Sequence, residues 1–271
     1  MDLVSDIAPE VDRLVLSTNG RVSGEHGDRL LDVARRNGLN SLALIPQLAP
    51  FIAGGRLTRD LAAVRMRYLR PDRLVARIDE LAESGLLQPV GEAWQAGPEL
   101  AVVLREWGGA LRQVTNEEWG GQAETVQAAS ATARRIGEAA SDEHAVAVVH
   151  RGLPEPGDPY LRLHQRLVTL RFIRQHDHAE AWLSYGLTAG QMVVLTELWH
   201  GNGVDDSDVV DELNRRGYVD SGPVRLSAEG KAVRDKIEDE TNRRNAERFD
   251  LLPPAEAESF LAALRRLPGS V

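Results

Sequence analysis

The chain has no cysteine. Disulfides, cysteine zinc sites and thiol chemistry are thereby excluded, and the absence fits a reducing, cytoplasmic setting. Lysine is nearly missing as well: Lys231 and Lys236 are the two lysines among 32 basic residues. No apolar run approaches the roughly 18 residues of a membrane-spanning helix, so no membrane partner is expected. The opening MDLVSDIAPEVDRLVLS carries acids early and has no basic segment, so a secretory signal is not expected either. Positive charge is in deficit, with a net charge of −9. Phosphate neutralisation by Lys and Arg dominates nucleic-acid affinity, so the deficit weighs against broad nucleic-acid contact and leaves room only for a local basic face. GxSxG, P-loop, GxGxxG and HExxH motifs are all absent. No catalytic residue, cofactor or metal is therefore nominated.

What is present reads as helix. The 271 residues, 42% hydrophobic and 27% charged, suffice for two ordinary domains or one large helical one. Segments rich in Ala, Leu, Arg and Glu are divided by Gly and Pro. The pattern predicts helices over 27–37, 58–68, 71–84, 98–115, 122–148 and 160–185. Pro71 suits a first turn, and Gly85 a stop. RGLPEPGDP (151–159) reads as a loop between halves. Short strands are expected at 86–88 with 93–95, and at 218–219 with 224–226.

An internal echo carries the most information. ARIDELAESGLLQPVGEAWQAGPELAVVL (76–104) overlies DVVDELNRRGYVDSGPVRLSAEGKAVRDK (208–236) without a gap, at an offset of 132. Asp79-Glu80-Leu81 falls on Asp211-Glu212-Leu213, Gly85 on Gly217, and Trp94 on Leu226. In both copies a helix stops at glycine, two apolar residues open a strand, and a Gly, Pro or Ser turn reverses the chain. A second strand then leads into a helix, capped by Ser227 in the later copy.

GLTAGQMVVLTELW (186–199), VDELNRRGYVD (210–220) and VRLSAEGKAVRDKIEDETN (224–242) resemble the MarR-like winged-helix family: the helix before the helix-turn-helix, the end of the recognition helix, and the wing with its following helix. More narrowly, the segment is similar to a group of actinobacterial proteins with tandem or degenerate winged helices. The resemblance covers about 60 residues from Gly186 and reaches the first half only through the echo. It implies a mainly α protein with two winged-helix-like modules joined by long central helices. The expected division is 1–120 with a module at about 56–107, a connecting helix and loop at 121–159, and a degenerate module at 160–271. The implied function is a transcriptional regulator, homodimeric on double-stranded DNA and answering an aromatic or apolar small-molecule effector. One departure matters. Between Trp199 and the second wing there is room for one helix rather than two, and that helix opens with Asp205, Asp206 and Asp208. DNA contact is therefore expected in the first copy.

There, Arg70, Arg73 and Arg77 are spaced three and four apart and share a helix face, with Leu74, Ile78 and Leu81 opposite. Arg65 and Arg67 add charge from the preceding helix. A recognition helix needs this arrangement; the alternative is a solvated face pairing with Glu80 and Glu83. The effector site is expected at His178 and Trp182, which are i, i+4, with Trp107 and Trp199 as further aromatic lining. His176 and His178, two residues apart, do not converge on a metal, and His164 is read as structural. The other functional classes are a small-molecule binder that has lost DNA binding, and a biosynthetic enzyme on the same scaffold.

Overall fold

The computed structural model describes residues 3–69, 71–142, 144–220 and 222–269. α1 (Leu3–Arg36), α2 (Ile45–Ala53), α3 (Arg59–Arg65) and α4 (Pro71–Glu83) lead into a hairpin of β1 (Leu87–Val90) and β2 (Ala93–Ala96). α5 (Pro98–Trp119), α6 (Ala123–Glu138), α7 (Ala145–Arg151) and α8 (Pro159–Ser184) follow. α9 (Ala189–Trp199), α10 (Ser207–Arg215), α11 (Ala228–Ala246) and α12 (Pro254–Arg266) complete a mainly helical chain. None of the described helices is long and apolar enough to cross a membrane.

Two helices differ from the sequence expectation. The segment 27–37 is the last third of α1, which runs unbroken through Gly20, Gly24 and Gly27. Each interior glycine costs about 1 kcal/mol. Ile7, Val11, Leu14, Val15, Val22 and Leu30 are buried along the same helix, which packs on α5, α8 and α12. At roughly 1.5–3 kcal/mol per buried side chain, that stripe outweighs the glycines. Conversely, the run 122–148 breaks into α6 and α7. His144 caps α7 by accepting from the Ala147 N–H at 3.2 Å, and Arg151 donates to the Ala140 carbonyl at 2.7 Å across the break.

Three main cores hold the chain. One joins the second half of α1 to α2, α3, α4, the hairpin and α5 as far as Val114. Another joins the first half of α1 to Trp119, α6, α8 and α12. The third is built from the end of α8 with α9, α10, Val219, Leu226 and α11. The loop at 152–158 does not separate one core from another, since α1 and α6 pack with α8 and α12 from beyond it. Arg13 reinforces that closure, donating to the carbonyls of Leu264, Leu267 and Gly269.

Both copies of the echo leave their helix at a left-handed glycine, Gly85 at φ 76° and Gly217 at φ 78°. The first hairpin pairs Leu87 with Ala96 through to Val90 with Ala93. In the second, Val219 pairs with Leu226. Leu226 overlies Trp94, not Ala96, so the copies slip by two residues on the return strand. α11 accordingly starts two echo positions earlier than α5.

Candidate functional site

α3 starts at Thr58, whose side chain accepts from the Leu61 N–H at 3.0 Å. The preceding Leu57 bridges to Trp94, which ties the front of α3 to the hairpin. α4 then buries Leu74, Ile78 and Leu81. The spacing that buries those three turns Arg73 to solvent and leaves Arg77 half-exposed, one helical turn apart. Arg77 pairs with Glu80 at 2.7 Å. Surface pairs of this kind are worth about 0–1 kcal/mol, so a phosphate can displace the glutamate. Arg59 pairs with Asp79 and lies 5.8 Å from the Trp94 ring centroid, bracing α3 against α4 and the hairpin. Arg70 lies outside the described residues.

The other two arginines nominated from sequence face inward. Arg65 is 6% exposed, with its guanidinium over the Phe172 ring and near Phe51. Its Nε and Nη1 have no hydrogen-bond partner. Burial, with the nearby charge of Arg171, pushes its pKa down. The reading of Arg65 as surface charge beside α4 is corrected: this end of α3 packs against α7 and α8. Arg67 pairs with Glu180 on α8, so it clamps α3 to the scaffold instead of standing free for a phosphate.

His178 and Trp182 do come together, but in a packed junction rather than in a cavity. Both are buried against Tyr68, whose ring stacks on His178 at 6.1 Å and lies 6.2 Å from Trp182. The Tyr68 hydroxyl hydrogen-bonds His178 Nδ1, and burial pushes its pKa up to about 12. On the other side of the ring, His178 Nε2 sits 3.3 Å from Glu238 on α11. Glu238 also pairs with Arg234 and, at 3.0 Å, with Arg174. Burial alone would raise the Glu238 pKa, but His178 and the two arginines hold it well below the usual carboxylate range. This chain of contacts ties the end of α3 to α8 and α11. Tyr68 and Glu238 were not legible in the sequence, because their meeting needs residues over a hundred positions apart.

The remaining two tryptophans lie elsewhere. Trp199 is 48% exposed, with Arg234 5.3 Å from its ring centroid. Trp107 lines a separate cavity between α1, α2, α5 and α8. The four residues nominated for an effector therefore do not form one site. Around His176, the ring of His144 lies 4.3 Å away, and Asp177 forms a bidentate pair with Arg248. Among the described residues, no three His, Asp or Glu side chains form a metal site.

The later copy presents different chemistry. Thr188 and Gln191 form a capping box on α9. α10 is the one helix between α9 and the second turn, and Asp206 caps it. Its outer face carries exposed Asp208, Asp211 and Glu212. Arg216 faces inward, donating to the carbonyls of Tyr185 and Gly186, and Arg225 pairs with Asp220 at 2.8 Å.

A sequence model of a family described as a helix-turn-helix family matches residues 86–271, more than half of the chain. α4 precedes the matched span. No curated protein and no solved structure matches significantly.

Proposed function

Since the chain belongs to this helix-turn-helix family, we propose that it is a MarR-like transcriptional regulator whose first winged-helix module binds double-stranded DNA. α3 and α4 act as the helix pair, and the β1–β2 hairpin acts as the wing. One observation carries the reading: α4 buries Leu74, Ile78 and Leu81 while directing Arg73 and Arg77 outward. Long cationic donors on a helix anchored from behind suit a major groove and its flanking phosphates. The second module, with one helix and an acidic outer face, repels phosphate and serves the scaffold. The regulator is a homodimer, reading near-palindromic half-sites about 10 base pairs or a multiple apart. It answers an aromatic or apolar effector bound among its long helices.

Fluorescence anisotropy with the DNA upstream of its own gene tests this reading. Tight binding that weakens steeply with salt is expected, with a shallower slope in Arg73→Ala/Arg77→Ala. Affinity no better than for random DNA would overturn it. The competing reading is a small-molecule binder that has lost DNA binding. The net charge of −9 and the cavity beside Trp107 favour it. Salt-independent failure to bind DNA would decide for that reading.

A further inference from the structure

The cavity beside Trp107 has a volume of about 320 Å³. That is about twice the ~150 Å³ void that holds a benzene molecule, and within the range of small-molecule sites. Leu111, Leu161, Phe172 and Pro50 line it together with Trp107. The space has a cause in the sequence. Gly108 lies in the middle of α5 and on the cavity wall, and a Cβ added there would meet no atom within 4 Å. A glycine inside a helix is unfavourable for the helix itself, and here it leaves volume open that any other residue would fill.

The wall also carries neutral amide side chains, those of Asn19, Gln47, Gln165 and Gln175. His164 is 4% exposed, and its unpartnered Nε2 is closed off from solvent and hence from the cavity. Burial pushes the His164 pKa down to about 4, so the ring is neutral at neutral pH. Arg171, the charged residue on the wall, is already paired with Asp12 at 2.6 Å. The site therefore offers aromatic and aliphatic surface and neutral amide groups for hydrogen bonding, with no free charge to meet an ion.

We propose that this cavity binds an uncharged, mainly apolar molecule with at least one ring and one hydrogen-bonding group, which a wall amide meets. α2, which shares a core with α3 and α4, and the long helices α1, α5 and α8 all contribute wall. The site is therefore placed to connect a ligand with the position of the DNA-facing helices. That use as an effector site rests on the regulator reading; the binding itself does not.

The probe is N-phenyl-1-naphthylamine, a neutral ring compound with one N–H, added to the full chain and followed by its own fluorescence. Saturable, one-to-one binding with blue-shifted emission is expected. Gly108→Leu should fill the cavity and weaken binding at least tenfold, while its thermal midpoint stays the same or rises. Gly108→Ala should weaken it less. Of Asn19→Leu, Gln47→Leu and Gln175→Leu, at least one should weaken it by about tenfold, the scale of one hydrogen bond. Trp199→Ala, on the surface, should leave it unchanged. Absence of saturable binding, equal binding by a folded Gly108→Leu, or loss in Trp199→Ala would each overturn the proposal. Probe binding without DNA binding sinks the regulator reading alone, and DNA binding without probe binding sinks the cavity alone.

Discussion

The unit at α3, α4 and the β1–β2 hairpin and the unit at α10 and the Val219–Leu226 bridge share a helix exit, an antiparallel pairing and a following helix. They differ in what faces water. Arg73, Ala76 and Arg77 of the first copy stand where the later copy has Asp205, Asp208 and Val209, while both carry the acidic pair, Asp79-Glu80 and Asp211-Glu212. A second helix, α3, stands before α4, while a loop at 200–206 stands before α10. Similar backbone grammar thus carries two outward arginines in one copy where the other has none. The buried side chains that fix the shape, Leu81 and Leu213 among them, leave the outer positions free to diverge. Shape alone therefore does not assign DNA contact to either unit; the proposal rests on the outward residues.

The largest expected effect comes from breaking the tie between the units. Glu238→Gln removes the carboxylate shared by His178, Arg174 and Arg234, and leaves the buried Arg234 without a counter-ion. A loss of about 3 kcal/mol in urea unfolding is expected at neutral pH. Glu238 has a folded pKa held below its unfolded value. Its contribution is therefore complete above about pH 4.5 and fades as pH falls below that. The gap between wild type and variant should close in acid. A gap that widened instead would contradict the assignment.

Next in size is the contrast between the two outer faces. Arg73→Ala and Arg77→Ala should each cost about tenfold or more in DNA affinity, ~1–3 kcal/mol where the contact is to a base edge. Arg215→Ala and Arg225→Ala in the later unit should change it less than twofold. Equal losses in both units would erase the distinction drawn between them. A smaller and symmetric effect should follow at the helix exits. Gly85 and Gly217 have nearly the same positive φ. Alanine at either should therefore cost about 1 kcal/mol or slightly more in thermal unfolding. Strongly unequal costs would show that the two exits are not equivalent. The smallest effect is expected at Arg65→Met. It replaces a buried cation lacking partners at Nε and Nη1, so stability should hold or rise. DNA affinity should not move. A marked loss of affinity would return Arg65 to the interface.

Local signals in the sequence were sufficient for much of this. The helix stops at Gly85 and Gly217, the cap at Ser227, the strand at 87 and the single helix between Trp199 and Gly217 all follow from turn chemistry and periodicity. The split of Arg73 from Leu74, Ile78 and Leu81 follows from the helical repeat. Long-range packing was not legible. α1 persists through three glycines because distant helices bury its apolar stripe. Arg65 turns inward onto Phe172, and Tyr68 meets His178, because α8 crosses the end of α3. The cavity beside Trp107 was equally hidden, since its walls come from four helices. Gly108 was its local trace, and it has an ordinary reading until the helices are assembled.

The central claim is that the first unit touches DNA and the second does not. Ala76 on α4 and Asp208 on α10 are both exposed and occupy the same place in the echo. A photocrosslinking amino acid placed at 76 or at 208, in otherwise unchanged protein, should be irradiated with DNA from upstream of its own gene. The account predicts a protein–DNA adduct from position 76 and none from position 208. An adduct from 208, or from neither position under conditions where the DNA is bound, would contradict it.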